Sequence, residues 1–105
     1  MFNHCVLSGV VCDRTTPTMD RDGHTRIRFL LAIQCLGQSA GLIHVHSSRH
    51  STFLVAKYLR QGDRVAVMGF LSIREWQSNS GHWHYEPILN ATDMVMLKED
   101  DHPQK

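Results

Sequence analysis

The segment from Val65 to Trp76 alternates without a break, and it constrains the fold more than any other part of the chain. Val65, Val67, Gly69, Leu71 and Ile73 fall on one side, while Ala66, Met68, Phe70, Ser72, Arg74 and Trp76 fall on the other. A period of two is the signature of a strand, because successive side chains point to opposite faces. The first set is expected to face a core. A polar run, Ser78-Asn79-Ser80-Gly81, marks a turn, and a second long strand-like segment, His82 to Leu97, follows it with an interruption expected at Pro87. The pair predicts a long antiparallel hairpin whose tip carries a tryptophan beside an arginine.

The rest of the chain supplies partners for that hairpin. Cys5-Val6-Leu7-Ser8-Gly9-Val10-Val11-Cys12 is apolar and β-branched and reads as a first strand, with Gly9 marking a bulge or sharp bend. The polar stretch from Asp13 to Thr25 contains Pro17 and ends in the turn signal Asp22-Gly23. A second strand follows over 26–33, with Ile27 and Phe29 on one face and Arg26 and Arg28 on the other. Leu36 to Gly41 reads as a connection and Leu42-Ile43-His44-Val45-His46 as a short third strand. Ser51 suits the N-cap of a helix over roughly 52–61, with Leu54, Val55, Tyr58 and Leu59 on one stripe and Gly62 as its C′ glycine. The expected order is three strands, a helix between strands 3 and 4, and two more strands. That is the all-β plan of an OB-fold, a five-stranded Greek-key barrel. A five-stranded sheet with a packed helix and no ligand has the same order of elements.

Length bounds the organisation. With 105 residues the chain makes one domain, expected over 1–98, followed by a short charged and disordered tail over 99–105. No apolar run is long enough to span a bilayer, and Met1-Phe2-Asn3-His4 lacks the start of a signal peptide, so a cytoplasmic protein without membrane partners is expected. Cys5, Cys12 and Cys35 are odd in number and widely spaced, which argues against a disulfide framework. No Gly-x-Ser-x-Gly, phosphate loop or clear carboxylate pair is present, so the chain is read as a non-enzyme without a cofactor. The eight histidines include the pairs His44/His46 and His82/His84, but neither pair has the convergent third and fourth ligands that zinc requires. They are read as surface side chains able to add stacking or pH-dependent phosphate contacts, with no metal site.

Charge narrows the partner. The net charge is +1, and the segment 99–105 holds three acids and one base, so the body carries +1 − (−2) = +3. That bias is mild, but arginine outnumbers lysine, which favours planar and stacking contacts. Single-stranded nucleic acid needs aromatic faces for its bases and cations for its phosphates. Trp76 is the leading platform, and Arg74 lies two residues away on its face. Trp83 and Tyr85 share its parity and either extend the platform or pack across the hairpin on Trp76. Arg26, Arg28 and Arg14 could flank a phosphate path, and Arg49 is a weaker candidate. Each arginine has an equally plain alternative as a solvated ion pair. Phe70 shares the outer face but suits a subunit interface at least as well.

These residues resemble a known family. Asn3 to Val11 is similar to the opening strand, with its internal glycine, of bacterial single-stranded DNA-binding proteins and their relative PriB, a primosomal replication-restart protein. Tyr58 to Val65 and Gly69 to Gly81 resemble the end of that family's helix and its long hairpin. The resemblance runs from about residue 3 to 97. It implies an OB-fold that binds single-stranded DNA, or RNA, without strong sequence preference. It also implies a homodimer or homotetramer acting in replication, recombination or repair. Two other readings stay open: a PriB-like adaptor that contacts helicase and replication-restart proteins, and an OB domain used only for protein interaction. The chain departs from the family pattern at Leu42, where a stacking tryptophan is common, and at Glu75, where a base often precedes the hairpin tryptophan. Its shorter connection around Gln34 to Gly41 lacks the family's aromatic, and its end lacks the acidic Pro-Phe tail.

Overall fold

Strands β1 (Cys5–Arg14), β3 (Thr25–Cys35), β4 (Gln38–Ser47), β5 (Arg64–Gln77) and β6 (Trp83–Leu97) pair in a ring, and the two-residue β2 (Thr18–Met19) lies against the start of β3. The computed structural model describes residues 2–14, 18–19, 23, 25–35, 38–47 and 56–97. The pairing order is β1-β5-β6-β4-β3, and β3 returns to β1. All these contacts are antiparallel except β4–β6, which is parallel from His44↔Ile88 to Ser47↔Ala91. The all-β, five-strand expectation therefore holds, with β4 longer at its start than the short third strand expected.

Alternation places the core where the sequence indicates. Val11, Ile27, Leu31, Val45, Val65, Val67 and Leu89 are essentially inaccessible to solvent. Each such side chain contributes about 1.5–3 kcal/mol on burial. Gly9 sits where β1 passes from β5 to β3, pairing with both Val65 and Ile33. A methyl there would run into the backbone carbonyl of Ala32. Gly69 makes a second close approach, to the carbonyl of Asn90, beside a bulge at Thr92. The Thr92 hydroxyl donates to the Met68 carbonyl at 3.2 Å there.

Three expectations fail in instructive ways. Among the described residues only Ala56 and Lys57 are helical, so a helix running to residue 61 is not seen. Gly62 is not the C′ residue of a helix. Instead it belongs to a turn in which Asp63 N–H donates to Arg60 C=O at 3.0 Å and the Asp63 carboxylate accepts from Arg60 N–H at 2.8 Å. The Gly62 N–H donates to Val11 C=O at 2.8 Å, which ties this turn to β1. Second, β6 is not interrupted at Pro87, which stays in register with Ile73. Neither β1 nor β4 pairs at that level, and a sheet edge tolerates a residue with no N–H donor. Third, Leu71 and Ile73 are exposed rather than buried. The β1–β5 ladder ends at Cys5↔Gly69, and from Phe70 to Gln77 every β5 residue is exposed. β5 loses its ring neighbour from Phe70 and β6 is paired with β4 only from Ile88 onward, so Ile73 to Gln77 and Trp83 to Pro87 stand out as a two-stranded finger, and alternation continues after the core has stopped. At the base of that finger, the Asn3 side-chain amide donates to Leu71 C=O at 2.8 Å, and its oxygen accepts from Leu71 N–H at 2.9 Å. Arg49, the Ser51 cap, Pro17, Asp22 and the segment from 98 onward lie outside the described residues.

Candidate nucleic-acid interface

The tip of the finger decides which side chains share a face. Ser78 N–H donates to His82 C=O at 2.8 Å, and Gly81 N–H donates to Ser78 C=O at 2.9 Å. The loop is thus three residues, 79–81, ending on Gly81 at φ 90°. Three-residue hairpin loops end on such a left-handed position, which glycine adopts without strain. The resulting register pairs Trp76 with His84, Arg74 with Glu86, Glu75 with Tyr85 and Gln77 with Trp83. Residues directly opposite share a face. Trp83 and Tyr85 therefore lie on the side of the finger away from Trp76, contrary to the parity expected for them. A two-residue loop would have put Trp76 opposite Trp83, and the extra residue moves every pairing by one.

On the Trp76 face, the indole and the His84 imidazole stack with centroids 5.1 Å apart and planes 16° from parallel. The Arg74 guanidinium carbon lies 4.8 Å from the Trp76 ring centroid, within cation–π range. Trp76 remains partly open to solvent at 37%. Aromatic faces and a cation thus sit within one nucleotide's reach of each other.

This face continues onto the outer surface of the ring. Arg28 pairs with His46, Leu30 with His44, and His44 in turn with Ile88, so β3, β4 and β6 present one row of outward side chains. Between that row and the finger lies a groove of about 550 Å³ lined by Asp13, Arg28, Phe29, Leu30, His44, His46, Arg74, Glu86 and Ile88. Glu86 bridges two of its walls: one carboxylate oxygen is 2.9 Å from His44 Nε2, and the other is 3.7 Å from Arg74 Nη1. Because a carboxylate only accepts, His44 Nε2 carries the proton of that contact.

The candidate residues fall into three groups. Arg74, Trp76 and Arg28 converge on the groove and its finger, and half-buried Arg26 lies on the same outer face of β3 two residues from Arg28. Trp83 and Tyr85 are exposed on the opposite face. Arg14 closes β1, and Arg49 falls outside the described residues. Leu42 is 59% exposed on β4, with no aromatic at that position. Sequence reasoning named His84 among histidines able to add stacking but did not place it against Trp76, and it passed over Glu86 altogether. Counting outward from a three-residue loop would have found both.

His46 is held below the ordinary histidine range, chiefly by burial, then by the positive charge of Arg28, by His44 and by Arg26, with Glu86 acting in the opposite sense. The sign follows from proton counts. The unfolded chain protonates this histidine at about 6.5, above its folded value, so the unfolded state binds more protons below that pH. Folding stability is therefore expected to decline as pH falls through about 6.5, and the decline from this group ends once the folded value is passed. Urea midpoints measured between pH 8 and 5 should show this slope, and His46→Gln should flatten it.

Comparison with known proteins bears on this surface. A model of the single-strand binding protein family matches residues 2–97. Among solved structures, the chain superposes on a Plasmodium falciparum single-stranded DNA-binding protein in complex with single-stranded DNA at a TM-score of 0.76 and 20% identity, covering 93% of this chain and 97% of that one. The mitochondrial single-stranded DNA-binding protein of S. cerevisiae gives 0.74 at 17% identity, covering 95% and 99%. A small single-stranded DNA-binding protein of Streptomyces coelicolor gives 0.72 at 19% identity, covering 91% and 95%. A search of curated proteins found no sequence that matches significantly.

Proposed function

Because the chain belongs to the single-strand binding protein family, a family of non-catalytic DNA-binding proteins, we propose how it holds its ligand: it binds single-stranded DNA along the groove and the Trp76 face of the finger. The observation that carries this reading is the convergence of Trp76, His84 and Arg74 beside a groove bearing Arg28 and two histidines. Bases stack on the aromatic faces and phosphates follow the cations, so the mode tolerates any sequence. The five-strand ring is read as an OB barrel, its binding domain as 1–98, and its setting as DNA replication, recombination or repair in a bacterial cytoplasm. Trp83 and Tyr85 form a second aromatic face, engaged when a strand passes round the finger. Arg26 extends the phosphate path, while the Arg14 side chain lies outside the described residues. Assembly into a homodimer or homotetramer is supported by exposed apolar side chains on the outer face, among them Val6, Phe70, Val95 and Leu97.

The test uses tryptophan emission. In the Trp83→Phe variant the remaining signal is that of Trp76. Titration with an oligothymidine in low salt should quench it, and added salt should weaken the binding because counterions compete for the phosphates. A folded protein that shows no quenching in low salt would sink the proposal.

A further inference from the structure

The groove has an electrostatic peculiarity for a surface that takes a polyanion. Its two arginines, Arg28 and Arg74, are matched by two acids, Asp13 and Glu86, so with neutral histidines its formal charge is zero. Of the two acids, Glu86 stands at the centre. Its carboxylate reaches His44 with one oxygen and Arg74 with the other, as the two free oxygens of a phosphodiester would. The arrangement follows from the sheet. Glu86 pairs directly with Arg74 across β5–β6, and parallel pairing brings β4 alongside with His44 opposite Ile88, two residues away.

We infer that Glu86 is an internal competitor of DNA phosphate, filling the anion position between His44 and Arg74 until a phosphodiester displaces it. The inference rests on the proposed binding surface and adds a residue that tunes it. The contacts suit a displaceable occupant. The 3.7 Å separation from Arg74 is beyond hydrogen-bond range, and the Arg74 side chain is 62% exposed, so that pair holds weakly. The 2.9 Å contact to His44 is a true hydrogen bond, but a phosphate oxygen accepts the same proton equally well. Release frees Arg74, whose guanidinium carbon lies 4.8 Å from the Trp76 ring centroid, to meet a phosphate beside that ring.

The test is Glu86→Gln, which keeps the size and polarity of the side chain and removes its charge. Affinity for an oligothymidine in low salt should rise roughly two- to fivefold, the scale of one exposed ion pair. The plot of log affinity against log salt should steepen by about 0.7, the value for one added phosphate contact on a single strand. In an Arg74→Ala background most of that gain should vanish, because the unmasked cation is gone. Lower affinity in Glu86→Gln, with the fold intact by circular dichroism, would overturn the inference, since Glu86 would then be holding Arg74 in its productive place. Unchanged affinity and an unchanged salt slope would also overturn it. Neither result touches the binding surface itself, which is tested separately by the quenching of Trp76 in the Trp83→Phe variant.

Discussion

Trp76→Ala is expected to weaken binding to an oligothymidine by about 1–3 kcal/mol, or roughly five- to 150-fold, the range for losing one base–aromatic stack. The loss should be specific to binding. Trp76 lies on the finger, outside the core, and its contacts are a histidine stack and an arginine. Cross-strand pairs of that kind stabilise a sheet by only about 0.2–1 kcal/mol. The thermal midpoint should therefore move little while affinity falls steeply. Anisotropy of a labelled oligonucleotide reads the first effect and calorimetry the second. Trp83→Ala, on the opposite face, makes the decisive comparison. A much smaller loss there would show that DNA keeps to the groove side. Equal losses would show that the strand wraps the finger.

The second large effect concerns stability alone. Gly9→Ala is expected to destabilise the fold by more than the roughly 1–3 kcal/mol usual for overpacking. The added methyl would meet the Ala32 carbonyl, which is backbone, and Leu31, which is fully buried. No flexible side chain is available to move aside. Since β1 pairs with β5 and β3 at this very residue, relieving the clash must loosen both ladders. For a domain of this size each kcal/mol shifts the thermal midpoint by about 4–8 °C. A drop well above 10 °C is therefore the expected reading, and a midpoint within about 3 °C of the unaltered protein would refute it.

Local pattern carried much of this architecture. The alternation of Arg26-Ile27-Arg28-Phe29 fixes which face of β3 is buried, and the isolated Gly9 in an apolar strand announces a close approach of backbones. Leu71 and Ile73 mark the limit of such reasoning. They keep the period of the buried residues before them, yet burial depends on a neighbouring strand, and β1 has ended. The finger's faces turned on one conformational detail, the left-handed Gly81 that makes the loop three residues long. His44 and Glu86 meet through parallel pairing of strands distant in sequence, and no short-range periodicity encodes that contact.

The contact between Asn3 and Leu71 has a consequence for the protein in a crowded solution. A two-stranded finger has two open edges, and each is a template on which another chain can add a strand and begin an aggregate. On the β5 edge, the Asn3 amide already takes the donor and acceptor of Leu71, as a neighbouring strand would. On the β6 edge, Pro87 offers no N–H to an incoming strand. The finger can thus stand far enough from the core to reach a ligand while both of its edges are blunted against its own kind.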